Sequence, residues 1–261
     1  MPGGYAYDND VEVAFRQHAC LSAMLDDFTR SRLSTVVAVP GTRCLEVGAG
    51  AGSVARWLAD RGATVVATDL KPHRVPTRAG IRVLAHDITA EPVPDPPYDL
   101  IHARLLLLHL AEREAVLRKL AAALAPGGSL AVEDWHIRPE HLVVDAPDQH
   151  DVALFERYQR ILMTVIGSDP TWATRIHGQM VGAGLAGVDT AIHSPVWPAG
   201  SPGALLVTVN LDLFRSRLLA AGLSAAELDH LRWLVTDRHS GLVLRGHLLY
   251  STIGRAPLAP A

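Results

Sequence analysis

The sequence predicts an α/β fold: a doubly wound, mostly parallel seven-stranded sheet with an antiparallel last strand, plus N-terminal helices and helical insertions that form a substrate lid. Three observations carry this. Short apolar runs recur with helical stretches between them, five times over from Cys44 to Trp135. Gly48, Gly50 and Gly52 join the first run to a helical periodicity through Val54, Trp57 and Leu58. A long final apolar stretch, Leu242 to Thr252, follows a helical interruption, as an antiparallel strand added at a sheet edge would.

Before the first strand, Val11, Ala14, Phe15, Leu21, Met24, Leu25, Phe28 and Leu33 recur at helical spacing, which predicts one or two amphipathic helices over residues 10–37. Cys44, Leu45 and Val47 then make the first strand, and a helix opens at Ser53. The second strand, Ala63 to Asp69, ends in an acid that follows Gly48 by 21 positions. In a parallel sheet the carboxyl ends of the strands line one crevice, so Asp69 is placed to accept hydrogen bonds from both hydroxyls of a ribose. Arg82 to Ala85 form the third strand, and His86-Asp87-Ile88 follow it. There Asp87 can accept from an adenine amine while Ile88 offers the ring an apolar wall.

The fourth strand, Asp99 to Ala103, brings His102 and Arg104 to its carboxyl end. A helix over residues 111–124 is stopped by Pro126-Gly127-Gly128, and Ser129 to Trp135 form strand five. Glu133, Asp134, Trp135 and His136 cluster at its end, where an active site is expected. Beyond it come helices at residues 148–166 and 171–183, a sixth strand from Val188 to Ser194, a helical stretch at 202–237, and the seventh strand from Leu242 to Thr252.

Composition excludes several classes. With 49% hydrophobic and 20% charged residues and a formal net charge of -3, the chain has no electrostatic footprint for nucleic acid or an anionic membrane. It contains two cysteines, Cys20 and Cys44, which read as core thiols in a reducing, cytoplasmic setting. The N-terminus lacks a basic start followed by an apolar run, and the longest aliphatic block, Leu105 to Leu108, is far too short to cross a bilayer. No ligand spacing such as H-E-x-x-H occurs among the 13 histidines, so no metal is expected.

Two phosphate motifs fail. The glycines run G-x-G-x-G, and the third position of a dinucleotide fingerprint, five after Gly48, is Ser53; no lysine follows as in a phosphate loop. The tetrad Asp95-Pro96-Pro97-Tyr98 is like the base-amine site of DNA N-methyltransferases, but it precedes the fourth strand instead of following it.

The motifs LEVGAGAG, VVATD, HDI, YDLIHARLLLLHL and LAPGGSLAVED stand in one order that resembles the class I S-adenosylmethionine-dependent methyltransferases of the small-molecule branch. The resemblance covers most of residues 40–134 and, more loosely, the last two strands. It implies S-adenosylmethionine as cofactor, with Glu46, Gly48, Ala49, Gly50 and Gly52 at the methionine end, Asp69 and Leu70 at the ribose, Asp87 and Ile88 at the adenine, and His102 and Arg104 near the sulfonium. The chain then divides into an N-terminal helical lid, residues 1–39, and a cofactor-binding domain, residues 40–261, with substrate-capping insertions at about 136–170 and 194–240.

A bound cofactor that already carries an activated methyl leaves the enzyme mainly to align a nucleophile behind it for in-line transfer. A base is optional, and His136, followed by His102, is the candidate proton acceptor. Tyr7, Trp135, His136, Phe155 and Trp197, with Tyr158, Met163, Trp172 and Phe214, are candidates for the substrate pocket. The expected acceptor is an O, N or C atom of a small apolar or aromatic specialised metabolite, handled by a monomer or homodimer. The alternative is an enzyme that binds S-adenosylmethionine but catalyses a non-methylating reaction such as cyclisation.

Overall fold

The computed structural model describes residues 13–36 and 40–259; Tyr7 and Val11, singled out above, lie outside them. In chain order the elements begin with helix α1 (Val13–Leu33), β1 (Arg43–Val47), α2 (Ser53–Asp60), β2 (Thr64–Asp69) and β3 (Ile81–Ala85). Next come β4 (Tyr98–Arg104), α3 (Arg113–Ala122), β5 (Leu124–His136), β6 (Val143–Asp145), α4 (Gln149–Ile166) and α5 (Ile176–Gly182). The chain closes with β7 (Ala186–His193), β8 (Val196–Pro198), α6 (Pro202–Ala220), α7 (Ala225–Thr236), β9 (Val243–Arg245) and β10 (Leu248–Arg255).

Two compact units emerge. One contains residues 26–136, 171–193 and 249–259, the other 13–25, 137–170 and 194–248. The first holds the seven-stranded sheet in the order β3-β2-β1-β4-β5-β10-β7. Strands β1 to β5 pair in parallel, and β10 runs antiparallel to β7. Each face of this sheet carries its own apolar core. Leu45, Ile101, Leu130 and Val132 pack with Leu117, Leu120 and Met180 on one side, while Cys44, Leu100 and Ala131 pack with Val54, Leu58 and Leu33 on the other. That division follows from the two-residue period of a strand, which sends neighbours to opposite faces.

The second unit contains a small sheet that the apolar patterning did not predict, in the order β6-β9-β8. The expected seventh strand, Leu242 to Thr252, is accordingly two strands in two sheets. Its break is at Gly246, whose N–H donates to the Pro195 carbonyl at 2.7 Å. A side chain there would stand 2.6 Å from that same carbonyl, so the close approach needs glycine. Helices α4, α6 and α7 account for the rest, with α7 opened by a capping box between Ser224 and Glu227.

Two further expectations change: the place of Phe15 and the end of α3. The lead-in to the sheet is one continuous helix among the described residues, and Phe15, expected on its apolar face, is 67% exposed. Helix α3 ends at Ala122, ahead of Pro126, so the proline and its two glycines belong to the start of β5. Asp95 salt-bridges Arg82 at 2.5 Å before β4 begins, as the rejection of a base-amine site required.

Gly128 lets β5 pass close to its neighbours: a Cβ would meet the Tyr98 carbonyl at 2.7 Å and that of Ala125 at 2.9 Å. Gly178 in α5 has nothing within 4 Å. Chemical denaturation should find Gly128→Ala destabilised by about 1–3 kcal/mol through forced backbone shifts, and Gly178→Ala stabilised by about 0.5–1 kcal/mol through helix propensity.

Candidate cofactor and active site

The turn after β1 is built for close backbone approach. Gly48, Gly50 and Gly52 have φ of 70°, 55° and 72°, a left-handed region that side chains rarely adopt. A Cβ on Gly48 would press on Leu106 at 3.2 Å, and one on Gly52 on Val75 and Pro76 at 3.0 Å. Asp69 pins this loop from the end of β2, accepting from the Gly50 N–H at 2.9 Å through one oxygen and from the Lys71 N–H at 3.0 Å through the other. Ala49 donates its N–H to the Thr68 carbonyl at 2.9 Å, and Leu70 beside Asp69 is 55% exposed.

At the end of β3, Asp87 is half-buried and accepts from both the N–H (2.8 Å) and the hydroxyl (2.6 Å) of Thr89, which hold its carboxyl below the usual range. Ile88 is buried, and Lys119 of α3 donates to the Ile88 and Glu91 carbonyls, fixing the turn. The glycine loop, Asp69, Asp87 and Ile88 therefore stand at the carboxyl ends of three adjacent strands. This donor and acceptor set fits a nucleoside carrying a polar tail.

Beneath the loop lies a buried charge network. His102 is 0% exposed, with Nδ1 2.8 Å from Glu46 Oε2 and Nε2 3.6 Å from Glu133 Oε2. Burial alone would lower its pKa, but the two carboxylates outweigh that and push it up to about 9. Burial would raise Glu133, yet the His102 imidazolium, the Arg104 guanidinium and the Thr29 hydroxyl together hold it down. The Thr29 hydroxyl donates to Glu133 at 2.5 Å and accepts from Arg104 Nη1 at 2.9 Å. Arg104 Nη2 donates to Asp26 Oδ1 at 2.9 Å, and the Ser53 hydroxyl donates to the same oxygen at 3.0 Å.

This arrangement corrects two assignments. His102 cannot serve as proton acceptor, because it has no exposed surface and already carries its proton at neutral pH. Glu46, expected to touch a ligand, is turned inward onto His102 and is buried. Arg104 spends both terminal nitrogens on α1. Asp26 and Thr29 were missed, although with Leu25 and Leu33 they form one buried helical face interrupted by polar residues.

His136 is half-buried at the end of β5, edge-on to Tyr250 with ring centroids 6.0 Å apart, and Trp135 is buried beside it. Asp134, on the face opposite Glu133, is fully buried near Leu106, Leu108 and Trp172, and burial pushes its carboxyl well above the usual range. In the second unit Phe155 is completely buried against Tyr158, and Trp197 lies over Gly203 and Gly246. Both rings are core, which removes them as pocket walls. Among the described residues no three His, Cys, Asp or Glu side chains are grouped to hold a metal ion, and no helix is long and apolar enough to cross a membrane.

A family model described as a methyltransferase domain matches residues 16–182. The chain belongs to the class I S-adenosylmethionine-dependent methyltransferases. Demethylmenaquinone methyltransferase of Renibacterium salmoninarum is 33% identical over 107 residues, covering 40% of this chain and 45% of that one. The first curated relatives are matched over only part of their length, 38% in mycobacterial proteins and 63% in a Synechocystis methyltransferase. Among methyltransferase-fold structures, phosphoethanolamine N-methyltransferase 2 of Haemonchus contortus with S-adenosylmethionine aligns at a TM-score of 0.60, with 13% identity over 97% of this chain and 58% of its own. The cyclase SpnF aligns at 0.54 with 18% identity over 90% and 81%. At such identities the likeness establishes the fold.

The folded pKa of His102 lies above its ordinary value of 6.5, so its contribution to stability is complete below that pH and is lost as pH rises through about 9. The depressed Glu133 contributes above its ordinary value of 4.5 and loses that contribution on acidification. Urea titrations should show the wild type losing about 3 kcal/mol between pH 6.5 and 10 that a His102→Gln variant does not lose. An equal slope in both proteins would refute the buried imidazolium.

Proposed function

We propose that the chain transfers a methyl group from S-adenosylmethionine to an O, N or C atom of a small, apolar or aromatic molecule. The observation that carries this reading is the Asp69 carboxylate bound to the Gly50 N–H, which joins the glycine turn to the end of β2 as one rigid cradle. When bound, the cofactor supplies an activated methyl on a cationic sulfur. The backbone from Gly48 to Gly52 binds its amino-acid end, Asp69 with Leu70 orients the ribose, and Asp87 with Ile88 selects the adenine.

His136 is the residue to accept a proton from an acceptor hydroxyl or amine, since it retains surface at the end of β5. Trp135 and His136 mark the substrate side. The likeness in sequence to a demethylmenaquinone methyltransferase supports an aromatic acceptor, and the formal net charge of -3 argues against nucleic acid or a membrane surface as partner.

Calorimetry should detect binding of S-adenosylhomocysteine, and Asp69→Ala should weaken it by about tenfold or more, the loss expected when a charged hydrogen-bond acceptor is removed. Absence of binding to the wild type would sink the proposal. Mass spectrometry of reactions with a panel of aromatic acceptors should then show the mass gain of one methyl. Conversion at unchanged mass would favour the alternative, a cofactor-holding enzyme that cyclises its substrate.

A further inference from the structure

Asp26 and Thr29 form a latch that neither motif nor family resemblance pointed to. They belong to the last turns of α1, lie outside the glycine loop and its supporting strands, and yet are buried at 7% and 0% exposure. Asp26 accepts from three donors: the Ser53 hydroxyl, Arg104 Nη2, and Arg30 Nη2 at 3.1 Å. Ser53 is the first residue of α2, directly after Gly52, whose left-handed backbone caps that helix without any side-chain hydrogen bond. Arg104 ends β4 and precedes Leu105, held at a positive φ of 52° with its N–H on the Glu133 carbonyl. Thr29 bridges Arg104 to Glu133.

We infer that Asp26 and Thr29 are positioning residues for the cofactor site: through Ser53 they fix the exit of the glycine loop, and through Arg104 and Glu133 the ends of β4 and β5. The inference rests on the methyl-donor reading above. Without the latch, Arg104 and Glu133 would keep their charges in a buried place with one partner fewer, and the loop exit would lose the side-chain acceptor that Asp26 supplies from α1. The cradle for the cofactor is thus complete only when this part of α1 is seated on it.

The test is calorimetric titration of the full chain with S-adenosylhomocysteine, alongside thermal unfolding. Asp26→Asn and Thr29→Val should each weaken binding by roughly tenfold, and Thr29→Ser, which keeps the hydroxyl, should restore it. Met180→Ala opens a cavity in the core on the other sheet face and lowers the melting temperature without touching the latch; its affinity should match the wild type. Wild-type affinity in Asp26→Asn and Thr29→Val, or affinity that falls with melting temperature in all variants including Met180→Ala, overturns the positioning role. A wild type that binds nothing would remove the methyl-donor reading and this inference together, whereas a wild type that binds with unaffected latch variants removes the inference alone.

Discussion

An imidazolium with no access to water stands between two glutamates at the centre of this protein, and much of the sheet must be in place for it to exist. Glu46 is the register partner of His102 across β1 and β4, and Glu133 is that of Arg104 across β4 and β5. Placing these charges in the interior costs several kcal/mol each before pairing, so the network contributes little net stability over an apolar core. Its effect is on specificity. A shift of any of the three strands by one residue would send the three charges to opposite faces and leave each without its counter-charge.

The same face explains why chemistry collects where it does. Along β1, β4 and β5 it begins apolar with Cys44, Leu100 and Ala131, and becomes polar with Glu46, His102 and Glu133 toward the carboxyl ends. The core therefore ends where the ligand cradle begins. Asp69 plays the matching part on β2, where its hydrogen bonds go to backbone N–H groups of the loop and of Lys71.

Strand order and the glycine turn were legible because each leaves a local trace: apolar runs with period two, and glycines where φ must be positive. Asp69 and Asp87 were legible for the same reason, as acids at strand ends. The latch was not. Helical spacing puts Thr29 four residues from both Leu25 and Leu33, but a polar residue type reads as solvent-facing, and only the tertiary partners Arg104, Ser53 and Glu133 make the burial of Asp26 and Thr29 tolerable. The break at Gly246 was hidden likewise, since the partner of its N–H is the Pro195 carbonyl about fifty residues earlier in the chain. Phe155 and Trp197 were misread because an aromatic that fills a core and one that lines a pocket have the same spacing.

The position of His102 also divides the labour among the histidines. A histidine useful as a base must reach the reacting atom and must be neutral when the substrate arrives. His102 meets neither condition, and its two glutamates are the reason for the second failure. His136, at the end of the next strand, is half-buried with the Tyr250 ring as its aromatic neighbour. Of two histidines at the ends of adjacent strands, one locks the framework by holding its proton between two glutamates, and the other keeps part of its surface.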